Sequence, residues 1–95
     1  MKKLLYDISD FVDVYTEQRA IEDIVEKVKK RRKELKYTQA DLARRSGVSY
    51  ASIRRFEETG EISFKSLIMI ANAINCLEDF KHLFNIPQVR SFEDF

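Results

Sequence analysis

The sequence predicts an all-α fold, and three observations predict it. Between residues 17 and 84, apolar residues recur every three or four positions, the period of a helix with one buried face. Capping residues Thr38, Ser49 and Ser63 open successive segments, and Gly47 and Gly60 close two of them. The chain holds only two glycines and one proline in 95 residues and has no long polar tract, which argues against disorder. A chain of this length is one small domain and buries only about 60–65% of its unfolded surface, so its core is thin and dimerisation is a natural supplement.

Residues 1–16 form an N-terminal extension that reads two ways. Leu4, Ile8, Phe11 and Tyr15 make a helical stripe with Asp7, Asp10 and Asp13 off it, whereas the β-branched stretch 11–16 also fits a short strand. The first clear helix starts at Thr16 or Glu17. It carries Ile21, Ile24, Val25, Val28 and Leu35 on its apolar face and ends near Lys36. Thr38 caps the second helix, with Asp41 three residues on completing a capping box, and Gly47 takes the left-handed conformation that ends it. Ser49 caps a third helix that runs to about Glu58, turns Ile53 and Phe56 inward and stops at Gly60. Ser63 caps a fourth, with Ile62 and Leu67 placed as a hydrophobic staple and Asn75 as its end. Leu77 to Phe84 reads as a last short helix, and Pro87 opens the tail 87–95. Residues 17–86 therefore make up the predicted domain, a bundle of five helices.

Charge is distributed unevenly. Residues 27–55 carry eleven Lys/Arg against Glu34 and Asp41, a net of +9, while residues 1–26 and 56–95 each carry −4, for a total of +1. A basic middle between acidic ends is the footprint of a polyanion-binding face, although a basic run alone also fits a solvated helix surface. No run of 18 apolar residues spans a membrane, and the N-terminal stretch is too short and charged for a signal peptide, so no membrane partner is expected. The single cysteine, Cys76, cannot form an internal disulfide, which suits a reducing cytoplasm, and it reads as a small core residue. Enzyme chemistry finds little support. One histidine, His82, and one cysteine are too few for a zinc site, Glu78 and Asp79 fit solvation of their helix, and two glycines cannot build a phosphate-cradling loop. No cofactor, metal or catalytic residue is expected.

The spacing across residues 38–57 is more specific. Two closely crossing helices need a small contact residue, met by Ala43. The turn needs a positive φ, met by Gly47, and an apolar plug, met by Val48. The second helix needs two apolar anchors three apart, met by Ile53 and Phe56. Such a helix-turn-helix presents Arg54 and Arg55 outward. Around this motif, from about residue 20 to 77, the sequence resembles the XRE family of DNA-binding domains, the lambda repressor and Cro-like group. The resemblance is most specific from Arg32-Lys33-Glu34-Leu35-Lys36-Tyr37-Thr38-Gln39 through Phe56-Glu57.

That resemblance implies a five-helix bundle whose third helix enters the major groove of double-stranded DNA. It implies that Tyr50, Ala51 and Arg55 face base edges, with Arg54 near bases or phosphate. Gln39, Ser49, Ser52 and Arg44 would meet phosphates, Gln39 also bracing the recognition helix, and Arg32 and Glu57 would form a buried ion pair. Arg55 is chemically suited to guanine, and Ala51 is short enough to approach a thymine methyl. Tyr50 could pack on a methyl, reach a phosphate or pack on the protein itself. Arg54, Arg55 and one of Arg44 and Arg45 have an alternative reading as solvated charges.

A single module makes few contacts, so the sequence predicts a homodimer on a pseudo-palindromic operator with half-sites about 34 Å apart. The dimer or partner surface falls in the apolar C-terminal region, with Phe80, Leu83, Phe84, Phe92 and Phe95, unless most of these belong to the core. The segment from Leu77 to Phe84 and the tail 90–95 resemble those of HipB-like antitoxins, which repress their own operon and bind a HipA-like kinase toxin. A phage-type repressor, a restriction-system controller or an interaction module without DNA binding would use the same domain.

Overall fold

A computed structural model describes residues 14–88. Each α-helix starts where a side chain satisfies a backbone N–H group that has no partner within the helix. The helices are α1 (Glu17–Glu34), α2 (Gln39–Ser46), α3 (Tyr50–Thr59) and α4 (Phe64–Ala73), followed by a 3-10 helix (Leu77–His82). Together they form an all-α bundle of five helices, with no strand among the described residues. Thr16 caps α1 by accepting from the Arg19 N–H at 3.0 Å. Thr38 accepts from the Asp41 N–H, and the Asp41 carboxylate accepts from the Thr38 N–H, each at 2.9 Å, so both halves of the capping box are present. Ser49 and Ser63 accept from the N–H groups of Ser52 and Ser66 at 3.1 and 3.0 Å.

Gly47 (φ 82°) and Gly60 (φ 83°) end α2 and α3 in the left-handed conformation, donating back to the carbonyls of Ala43 and Phe56 at 2.9 and 2.8 Å. Only glycine takes that conformation without steric cost. Lys36 and Asn75, at φ 63° and 65°, serve the same purpose after α1 and α4. Helix α1 therefore ends with Glu34, two residues before Lys36, and α4 with Ala73, two residues before Asn75.

The core lies where α2, α3 and α4 meet the face of α1 that carries Val25 and Val28. Leu42, Ile53 and Ile70 are completely buried, and Val25, Val28, Val48, Phe56 and Ile74 close around them. Ile62 and Leu67 of the staple and Ala43 at the helix crossing pack against this cluster. One sequence expectation differs from the structure. The segment after Cys76 is a 3-10 helix ending at His82, with Phe84 in a left-handed turn (φ 58°), in place of a helix reaching Phe84. Its four exposed or half-exposed apolar residues do not supply enough burial to sustain longer helix. Val14 to Thr16 form neither helix nor strand. The stripe of Leu4, Ile8 and Phe11, and the tail residues Phe92 and Phe95, lie outside the described residues.

Candidate nucleic-acid interface

Helix α3 divides cleanly by face. Ile53 and Phe56 point into the core with 0% and 2% exposure, while Tyr50, Ala51, Arg54 and Arg55 lie on the exposed side. The intervals explain this: 53, 56 and 57 share one stripe, and 50, 51, 54 and 55 share the opposite one. Val48 is buried as the plug of the turn, with 4% exposure, so α3 is seated by its own N-terminal loop as well as by its core residues.

The orientation of α3 is fixed by a charged group within the protein. Glu57 is 9% exposed and Arg32 8%. Arg32 donates from Nε to Glu57 Oε2 at 2.8 Å and from Nη2 to Oε1 at 2.9 Å, a bidentate pair, and its Nη1 donates to the Tyr37 carbonyl at 2.9 Å. Gln39, the first residue of α2, donates from Nε2 to Glu57 Oε1 at 2.9 Å. One carboxylate thus ties α1 and α2 to α3. Burial pushes the Glu57 carboxyl up, but the hydrogen bonds from Arg32 and Gln39 and the Arg32 charge outweigh it and leave it below the ordinary carboxylate value. No buried side-chain polar atom among the described residues lacks a partner.

The exposed cations differ in how they are held. Arg44 donates to Asp41 at 2.7 Å. Asp41 is lowered to about 2, first by the Thr38 N–H and then by Arg44 and the Thr38 hydroxyl. Arg45 stacks over the Tyr37 ring at 4.5 Å. Arg54 lies over the Tyr50 ring at 5.9 Å and reaches Glu58 at 3.5 Å. Ser49 donates its hydroxyl to Ser52 Oγ at 2.9 Å, so these two hydroxyls sit side by side at the exposed start of α3.

The sequence reading missed Glu61. Arg55 directs both Nε and Nη2 at Glu61 Oε1. That contact raises the already high Arg55 value. Thr59 sets the loop that carries Glu61: its hydroxyl donates to the Arg55 carbonyl at 2.7 Å and accepts from the Glu61 N–H at 3.1 Å. A spacing of six residues across a glycine cap matches no helical contact interval, so no periodic signal marks this pair. The dimer or partner residues also separate. Phe80 is partly buried, edge-on to Phe64 with centroids 6.2 Å apart, whereas Leu83 is half-exposed and Phe84 is 98% exposed.

Among the described residues no group of His, Cys, Asp and Glu could hold a metal ion, and no helix is long and apolar enough to cross a membrane. No curated protein and no solved structure matches the chain. A helix-turn-helix family model matches residues 28–80, more than half of the sequence, from the last turns of α1 into the 3-10 helix. With its buried plug, left-handed turn and outward arginines in place, the chain belongs to the helix-turn-helix family, whose fold supports a DNA-binding regulatory role.

Proposed function

We propose that this protein is a sequence-specific transcriptional regulator of the XRE type, a repressor that reads a pseudo-palindromic operator as a homodimer in the cytoplasm, at the nucleoid. The observation that carries the reading is the exposed face of α3, where Tyr50, Ala51, Arg54 and Arg55 project from a helix whose other face is locked by Ile53, Phe56 and Glu57. A rigid helix with outward arginines matches the shape and charge of the major groove. In this reading Arg55 leaves Glu61 for a guanine edge, and Ala51 allows close approach. Tyr50 and Arg54 act together as a stacked pair against bases or backbone. Ser49, Ser52 and Arg44 hold phosphates. Gln39 uses one amide hydrogen on Glu57 and the other on a phosphate, which couples the backbone contact to the seat of the recognition helix.

A second copy, or a HipA-like toxin, would meet the C-terminal turn, where Leu83, Phe84 and Ile86 are 49%, 98% and 89% exposed. The antitoxin reading rests on this exposed apolar turn and on the resemblance of the adjoining segments.

The test is selection of DNA fragments by the purified protein, followed by titration of the selected site. Arg55→Ala is expected to relax preference at one base position, at a cost of roughly 1–3 kcal/mol in discrimination, and Gln39→Ala to weaken all sequences alike. Affinity should fall linearly with the logarithm of salt concentration. Wild-type affinity and preference in both variants would refute the assignment of the reading face. Expression with the neighbouring genes separates the regulator alone from the antitoxin: a pure homodimer counts against the latter.

A further inference from the structure

The three arginines that the proposed reading brings to DNA each hold a carboxylate of their own chain. Arg44 pairs with Asp41 at 2.7 Å and Arg54 with Glu58 at 3.5 Å, partners one helical turn away on the same helix. Arg55 is held differently. Its partner, Glu61, lies six residues on, past the end of α3. The chain turns back at Gly60, with φ 83°, to bring that carboxylate to the arginine. The Thr59 hydroxyl joins the Arg55 carbonyl to the Glu61 N–H, at 2.7 and 3.1 Å, and so ties the loop to the helical turn that carries Arg55. Both side chains lie at the surface, Arg55 66% and Glu61 63% exposed. A pair so exposed adds little to stability, so the fold does not account for this arrangement.

The contact occupies the part of Arg55 that would read a base. Nε, at 3.0 Å, and Nη2 both donate to Glu61 Oε1. These two nitrogens form one edge of the guanidinium, a fork suited to paired acceptors. Guanine presents two acceptors side by side, O6 and N7. Adenine sets an N–H donor beside N7, cytosine presents a donor, and thymine a single acceptor next to a methyl group. Guanine is therefore the one base that replaces the Glu61 oxygen with two acceptors for the same edge. At any other base Arg55 either stays with Glu61 and adds nothing to binding, or leaves for a phosphate and gives up the pair. A carboxylate in this position penalises the wrong site without touching DNA.

We propose that Glu61 is a specificity-determining residue that acts through Arg55: it holds the reading edge of the arginine and yields it to guanine in preference to phosphate. Glu61 is a positioning residue, and Thr59 and Gly60 are the parts of the loop that keep it in reach. This inference rests on the reading of α3 as the DNA-reading helix.

The test compares the full chain with Glu61→Gln, Arg55→Ala and the double variant, with circular dichroism to verify folding. Each is titrated by anisotropy against two probes: the duplex that the wild type selects and a mixed-sequence duplex of the same length. In Glu61→Gln the ratio of the two affinities is expected to fall about two- to fivefold, the range set by an exposed ion pair, chiefly through tighter binding to the mixed duplex. The salt slope on the mixed duplex should steepen by up to about one, as Arg55 takes up a phosphate. In the Arg55→Ala background Glu61→Gln should leave the ratio where it was. A carboxylate that acted only by its charge would raise both affinities alike, so an unchanged ratio in Glu61→Gln overturns the proposal. An equal fall with and without Arg55 overturns it too. The two readings fail separately: wild-type preference in Arg55→Ala, or no binding to any duplex, removes the reading of α3 and this inference with it. Lost preference in Arg55→Ala beside an unchanged ratio in Glu61→Gln removes this inference alone.

Discussion

Removing Arg32 is expected to unfold this domain more readily than any loss of an exposed charge. In Arg32→Ala, Glu57 loses two of its three hydrogen-bond donors and keeps only Gln39, yet remains where its side chain is 4% exposed. A carboxylate left uncompensated at such a site costs about 3–5 kcal/mol. Domains of 60–100 residues lose about 4–8 °C of Tm per kcal/mol, so the midpoint should fall by roughly 12–40 °C. Total stability for a small domain is about 5–15 kcal/mol, so the variant is at the edge of folding at 25 °C. Thermal unfolding followed by circular dichroism at pH 7 measures this. The double variant Arg32→Met/Glu57→Leu removes both charges at similar volume and is expected to recover most of the loss, because an apolar pair avoids desolvation. A drop of less than about 1 kcal/mol in Arg32→Ala would refute the reasoning, since only a solvated pair is worth so little.

Four further outcomes are expected. Stability should decline with acid below about pH 4: Glu57 and Asp41 are both held below their ordinary values, Asp41 at about 2, so each contributes fully above the unfolded carboxylate value and loses its contribution as pH falls through the folded one. Urea titrations from pH 6 to 2 check the sign, and a stability that rises on acidification contradicts it. Gly47→Ala should cost about 1–2 kcal/mol from its left-handed φ, with the added Cβ 3.3 Å from the Met69 methyl, a close contact that the flexible end of that side chain relieves by a small shift. Gly60→Ala should cost more, because its Cβ would overlap the Ile21 side chain as well, and chemical denaturation ranks the two. Glu61→Gln should release Arg55, tighten binding to mixed-sequence DNA and steepen its salt dependence; anisotropy titrations at several salt concentrations measure both, and an unchanged effect in the Arg55→Ala background would show that Glu61 acts elsewhere.

The local rules of helix formation made most of this fold legible. Caps at Thr38, Ser49 and Ser63 and the stops at Gly47 and Gly60 depend on one residue and its near neighbours, so the sequence carries them openly. The inward stripe of α3 is equally plain, because Ile53 and Phe56 are apolar and three apart. The end of the bundle was harder to read. Leu77, Phe80, Leu83 and Phe84 have helical spacing, but the bundle offers only Phe80 a partly buried place, so the segment tightens to a 3-10 turn and Phe84 is left in solvent. The Arg55–Glu61 contact escaped for a different reason: it crosses the end of a helix, where the direction of the chain is set by Gly60 and Thr59, and no interval in the sequence encodes that direction.

The division of α3 into two faces has an evolutionary consequence. Glu57 takes its donors from α1 and α2, and Ile53 and Phe56 fill the core, so the buried frame asks nothing of Tyr50, Ala51, Arg54 or Arg55, whose contacts all lie on the surface. Those four positions are interchangeable parts. New combinations installed there would leave the buried frame intact, so this face can change its chemistry without the chain having to learn to fold again.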